Sequence, residues 1–209
     1  KTLTKTFLTD PEQHMPGNRF NDGGTDMQGR FWAGTMKDGG GAPEELGQFY
    51  RYGFDGSVTP FFDKVYTTNG LAFSPEGTTL YYSDSNPTVR TIWACDYDTE
   101  TGTPSNRRVF FDTREVAGRP DGGTVDAEGC YWMAGISGWQ LVRITPQGKV
   151  DRIIEMPVER PTKPMFGGRN LDILYVTSIG SDEKDAQDGN LFAVTGLGVT
   201  GAEQARFAG

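Results

Sequence analysis

The stretch from Arg19 to Thr35, RFNDGGTDMQGRFWAGT, puts Arg19, Asn21 and Asp22, with Asn18 just before them, ahead of a Gly-Gly pair and then runs into an apolar, aromatic segment. Asn, Asp and Gly are the ordinary residues of turns, so this stretch alone reads as a solvated turn before a strand. Three further stretches repeat its layout: Tyr66–Asp84 (YTTNGLAFSPEGTTLYYSD), Gly118–Gly135 (GRPDGGTVDAEGCYWMAG) and Arg160–Ser178 (RPTKPMFGGRNLDILYVTS). Each has a polar cluster, a short strand, a turn around Gly29, Gly77, Gly129 or Gly168, and a second aromatic strand. Asp22, Asn69, Asp121 and Lys163 occupy the equivalent spot, at spacings of 47, 52 and 42 residues. That period matches a four-stranded propeller blade.

The segments between the modules fit the same plan. GQFYRYGFDGSVTPFFD, TIWACDYDTETGTPSNRRVFFD, WQLVRITPQGKVDRIIEM and NLFAVTGLGVTG each read as a pair of hairpin strands. With 29 Gly and 12 Pro among 209 residues, the chain is expected to be all-β. GAPEELGQF is the nearest thing to a helix, and Gly47 interrupts it. A propeller also explains the polar crowding, because its innermost strands converge on a central channel and bring residues far apart in sequence to one axis. The opening KTLTKTFLTD already resembles a strand in progress, without an initiator Met or a signal peptide.

Composition narrows the function. A formal net charge of −8 with scattered Lys and Arg argues against nucleic acid. No apolar run approaches the roughly 20 residues of a membrane span, so a soluble, cytoplasmic protein without a membrane partner is expected. Cys95 and Cys130 sit in aromatic, strand-like segments and read as two buried thiols. His14 is the only histidine, so neither a nitrogen-rich zinc site nor a Ser-His-Asp triad has the residues it needs. Asp26 and Asp126, each just before a glycine turn, read as turn-forming residues. The run SDEKDAQDG from Ser181 lacks the ligand pattern of an EF-hand and reads as a solvated loop.

Taken in order, NRFNDGGTDMQGRFWAGTM, TNGLAFSPEGTTLYYSDS, RPDGGTVDAEGCYWMAG, PTKPMFGGRNLDILYVTS and GNLFAVTGLGVTG resemble the senescence-marker-protein-30, gluconolactonase and regucalcin family. The resemblance implies a six-bladed β-propeller, one divalent cation in the channel, and hydrolysis of sugar lactones. Roughly four blades fall within residues 1–209, which are expected to form a single propeller domain corresponding to the C-terminal two thirds of a family member. It further implies metal ligation by Asn69 and Asp121, with Asp121 also the base, and substrate contact by Arg19 and Asn21. Two family acids have no direct match: a metal-ligating Glu of the first blade, and a substrate-contacting Glu that falls at Gly39, with Asp38 the nearest acid.

Lactone hydrolysis is acyl transfer to water, and a divalent cation with oxygen ligands can polarise the carbonyl and acidify water. Ca²⁺ is the first expectation, with Mn²⁺, Mg²⁺ or Zn²⁺ as alternatives. Arg19 reads either as a sugar clamp or as a salt-bridge partner of Asp22 or Asp26. Asp22 is expected behind the ligands, orienting Asn21 or a water. A non-catalytic calcium-binding propeller, and an esterase or phosphotriesterase on the same site, are the competing readings. The loop MKDGGGAPEELGQF is where substrate choice is expected to reside.

Overall fold

The computed structural model of the chain describes residues 4–39, 46–180 and 187–208. Its strands form four consecutive antiparallel sheets, each in simple meander order. The first sheet holds β1 (Asn18–Thr25), β2 (Phe31–Lys37), β3 (Gly47–Tyr52) and β4 (Val58–Val65). The second holds β5 (Thr68–Phe73), β6 (Thr79–Asp84), β7 (Thr91–Asp98) and β8 (Thr103–Asp112). β9 (Arg119–Val125), β10 (Tyr131–Ile136), β11 (Gln140–Ile144) and β12 (Val150–Glu155) make the third, and β13 (Pro161–Gly167), β14 (Ile173–Ser178) and β15 (Phe192–Val194) the fourth. Among the described residues the only helical element is a single 3₁₀ turn, Thr113–Glu115.

The sheets are propeller blades. The first strands, β1, β5, β9 and β13, lie against one another in chain order, and β5 is buried at every position while β12 is largely exposed. In the second and third blades burial is lost at the outermost strand, whereas in the first blade β1 is itself half-buried to exposed. Three apolar cores fill the gaps between neighbouring sheets: Trp32, Phe49, Leu80 and Tyr82 between the first and second, Tyr81, Ile92, Tyr131 and Met133 between the second and third, and Trp132, Leu141, Phe166 and Leu174 between the third and fourth. This radial stack is the arrangement of four blades of a six-bladed ring. Alternation within each strand sends successive side chains to opposite faces, so each inner blade feeds two cores.

Gly29, Gly77, Gly129 and Gly168 close the innermost hairpins, all with φ between 72° and 90°. That left-handed conformation is available to glycine without steric cost, which is why the four turns share the residue.

Three sequence expectations need correction. The polar cluster of Asn18–Asp22 does not precede a strand; it lies within β1. Residues 4–17 hold no strand, and the chain turns at Pro11–His14 with the Met15 amide donating to the Glu12 carbonyl at 2.7 Å. NLFAVTGLGVTG supplies one strand, β15, rather than two. After left-handed Gly196 and Gly198 the chain leaves the sheet and runs across the rim of the glycine turns. There the Gly201 amide donates to Leu171 and the Ala127 amide to Thr200, and the Ala208 amide reaches Gly29 at 3.1 Å. Of GAPEELGQF, residues 41–45 lie outside the described residues and Gly47–Phe49 begin β3. Residues 181–186 of the acidic run also lie outside them.

Candidate functional site

Each innermost hairpin contains a register shift at the same level. In the ladder, Phe20 and Gly23 pair with Thr35 and Ala33, so Asn21 and Asp22 together oppose one residue. The same two-against-one slip recurs between Asn69 and Ala72, between Pro120 and Gly123, and between Pro161 and Pro164. A bulge of this kind bends the strand and re-aims its side chains. Repeated in four blades, it brings Asp22, Asn69, Asp121 and Lys163 to one end of the channel, opposite the glycine turns, although they are not strict equivalents: Asp22 and Lys163 are the second residue of their bulges, Asp121 the first, and Asn69 the paired residue just before its own.

A chain of hydrogen bonds runs across this mouth. Asp38 accepts from Arg19 Nε at 3.0 Å, Arg19 donates an Nη hydrogen to Asn21 Oδ1 at 2.9 Å, and Asn21 Nδ2 donates to Asn69 Oδ1 at 3.2 Å and to the Thr68 carbonyl at 2.8 Å. Asn69 Nδ2 in turn donates to Ser85 Oγ at 2.7 Å, and Ser85 donates to the carbonyl of Pro120, the residue before Asp121. With its proton committed to Pro120, Ser85 can only accept from Asn69. The Asn69 amide is therefore turned with its oxygen toward Asn21. The buried Asp84 carboxylate accepts from the amides of Tyr66, Thr67 and Asn86, at 2.8, 3.0 and 2.9 Å, and so fixes the entry into β5 that carries Asn69.

Asp121 is the electrostatically exposed member of the site. Burial, reinforced by the neighbouring Asp22 carboxylate, pushes its carboxyl up to about 7 against the opposing charges of Lys163 and Arg119. Burial is the larger cause: its charged form loses water that the nearby Lys163 and Arg119 do not replace. Asp22 itself accepts from the Leu71 amide at 2.9 Å and from Lys163 Nζ at 3.0 and 3.2 Å. Arg19 pairs with Asp38, while Asp26 pairs with Arg30 at 2.8 Å.

These residues fit a hard cation. The donors are an amide oxygen and carboxylates, and the Asp121 environment favours added positive charge. Among the described residues no three His, Cys, Asp or Glu side chains converge as a complete cage, so an ion held by Asn69 and Asp121 would keep positions open to substrate. His14 is exposed in the loop before β1, and Cys95 and Cys130 are buried free thiols, none of them in this cluster.

Ser85 escaped the sequence reading, and the signal for it was slight: it follows Asp84 at the end of an inner strand. Lys163 was marked only by its register. Asp38 was visible as the acid nearest a missing Glu, and the fold brings it against Arg19. The part of MKDGGGAPEELGQF that would test its role in substrate choice, residues 40–45, lies outside the described residues.

A channelled β-propeller with oxygen donors at one mouth is the class this fold and site define. The chain belongs to the SMP-30/gluconolactonase/LRE-like family, whose model matches residues 1–180. It is 39% identical to regucalcin of Xenopus laevis, over 98% of this chain and 71% of that protein. Among solved structures it is similar to a luciferin-regenerating enzyme, with a TM-score of 0.86 and 36% identity over 95% of this chain and 68% of the other. It is also similar to a calcium-binding protein, regucalcin from Agrobacterium tumefaciens, with a TM-score of 0.83 and 33% identity over 94% and 67%. No helix among the described residues is long and apolar enough to cross a membrane.

Proposed function

We propose that residues 1–209 act as one propeller domain of a divalent-cation-dependent hydrolase that opens sugar lactones. The observation that carries this reading is the unbroken hydrogen-bond chain from Asp38 through Arg19, Asn21, Asn69 and Ser85 to the backbone beside Asp121. A protein that only stored a cation would have no use for a guanidinium and amide clamp joined to the ligand positions.

When bound, the cation, Ca²⁺ first by its preference for oxygen ligands, supplies Lewis-acid polarisation of the lactone carbonyl. The chain's own groups do the rest. Arg19, half exposed with a planar fork of donors, grips ring hydroxyls or the carbonyl oxygen. Asn21 offers an amide already locked to Thr68 and Asn69, so orienting the sugar costs little further ordering. Asp121, the carboxylate at the ligand position, takes the proton from the attacking water. The family's gluconolactonase members and the calcium-binding relative support the lactone and the cation respectively.

The test is a lactone panel assayed with and without chelator. Chelator-sensitive opening of aldonolactones, lowered by at least about 100-fold in Asp121→Asn, is the expected result. Cation binding without turnover on any lactone, ester or phosphotriester would assign the chain to calcium binding instead. Turnover confined to esters or phosphotriesters would keep the site and replace the substrate.

A further inference from the structure

We propose that Lys163 is a built-in competitor for the channel cation: its ammonium holds Asp22 out of the coordination sphere of an ion at Asn69 and Asp121 and so sets how tightly that ion binds. This rests on the reading of Asn69 and Asp121 as cation ligands.

Lys163 and Asp22 are 141 residues apart, on the fourth and first blades, and the ion pair spans the channel between them. The ammonium lies 3.0 and 3.2 Å from the two Asp22 oxygens. The lysine stem crosses Gly122, the residue after Asp121, so closely that a Cβ there would overlap it. Glycine is what lets the ammonium reach past Asp121 to the far side. The side chains are 26% and 11% exposed, so water screens the pair far less than a surface bridge.

Charge then decides the outcome. Asp22, Asn69, Asp121 and Lys163 together are two acids, one amide and one base, one net negative charge among the four for a dication. Without Lys163 the same ring would carry two, and Asp22 would be a third oxygen ligand facing the ion. Affinity in oxygen sites rises with ligand charge. Removing the lysine should therefore tighten binding, and removing Asp22 while the lysine stays should weaken it. A bridge that served folding alone would give the same sign for both, because either change breaks it.

The experiment is calorimetric titration of CaCl₂ and MnCl₂ into the wild-type protein and into Lys163→Met, Asp22→Asn, the Asp22→Asn/Lys163→Met double variant and Asp121→Asn, with a thermal melt of each to show that it is folded. Lys163→Met should bind at least about tenfold more tightly and Asp22→Asn at least about tenfold more weakly, with the double variant within about threefold of wild type. Should Lys163→Met fail to fold because Asp22 is left uncompensated, the same question is read from Asp22→Asn against the double variant, where losing the lysine should again tighten binding about tenfold. Unchanged or weaker binding on removal of Lys163, with Asp121→Asn abolishing it, overturns the competitor and leaves the site standing. Binding indifferent to Asp121→Asn overturns the reading of the site itself. If neither wild type nor the lysine variants bind either ion, the proposal falls.

Discussion

Asp121 and Asp126 lie near opposite ends of one strand, β9, and the protein treats them in opposite ways. Asp126 is fully buried and every lone pair is used: its Oδ1 accepts from the Glu128 and Cys130 amides at 3.0 Å each, and its Oδ2 from Trp132 Nε1 and Arg143 Nε at 2.8 Å each. Arg143 also reaches Glu128 at 2.6 Å and Asp151 at 2.9 Å. Asp121 sits at the mouth, where burial and then the Asp22 carboxylate push its carboxyl up to about 7. The first blade repeats the contrast. Asp26 accepts from the Gln28 and Arg30 amides, the Arg30 guanidinium and Tyr97, whereas Asp22 at the mouth faces Lys163. An acid whose charge is answered from within holds a blade together; an acid left under-compensated is available to something from outside.

The largest expected effect concerns the answered acid. Asp126→Ala leaves Arg143 short of a partner and orphans the buried Cys130 amide, the part-buried Glu128 amide and an indole N–H, which should cost about 3–5 kcal/mol of folding stability. Urea denaturation followed by tryptophan fluorescence measures it, since Trp132 reports on the broken site. A loss below about 1 kcal/mol would erase the distinction between the two ends of the strand.

Asp121→Asn should move stability the other way in chelated protein. Below pH 4 the carboxyl is protonated in folded and unfolded chains alike. Between pH 4 and 7 it is protonated only when folded, because its folded value is raised to about 7. The folded state thus holds an extra proton, and the stability this confers is lost as pH rises through 7. An amide escapes that loss, so the variant should exceed wild type by about 1–3 kcal/mol at pH 8 and match it near pH 4.5. Melting curves in EDTA at the two pH values are the measurement. A destabilised variant at pH 8 would mean that Asp121, like Asp126, is a structural residue.

How much of this contrast was legible beforehand follows from what periodicity records. The blade repeat, the glycine turns and the turn-capping roles of Asp26 and Asp126 are written in local residue types, and all appear in the fold. The bulges are not. Alternation of period two has no symbol for two residues opposing one, so Asn21 and Asp22 looked like a turn although they belong to β1. The arginines that complete the buried acids were also hidden, because Arg143 meets Asp126 only when β11 folds onto β10. The Asp22–Lys163 pair depends on the first and fourth blades facing each other, which no local window contains. C-terminal NLFAVTGLGVTG carried strand-like residues on both sides of its glycines, yet left-handed Gly196 and Gly198 turn the second half out of the sheet.

The smallest stability effect is expected at Arg19, and there the comparison acquires its third case. Arg19 and Asp38 are 48% and 72% exposed, and pairs of that kind contribute about 0–1 kcal/mol. Arg19→Ala should therefore change the urea midpoint hardly at all, because Asn21 keeps its bonds to Thr68 and Asn69 without it. What the substitution removes is a donor fork aimed into the mouth. If Arg19 grips the sugar equally in ground and transition states, KM rises by about tenfold with kcat unchanged; if the grip tightens as the lactone opens, kcat falls instead. Asp38→Ala should produce a weaker form of the same change, since it frees the guanidinium at Nε while the Asn21 and Phe20 oxygens still hold an Nη. Steady-state kinetics beside denaturation midpoints separate the cases. A loss of more than about 1.5 kcal/mol with unaltered kinetics would place Arg19 with Arg30 and Arg143 among the structural arginines, and the mouth would lose its clamp.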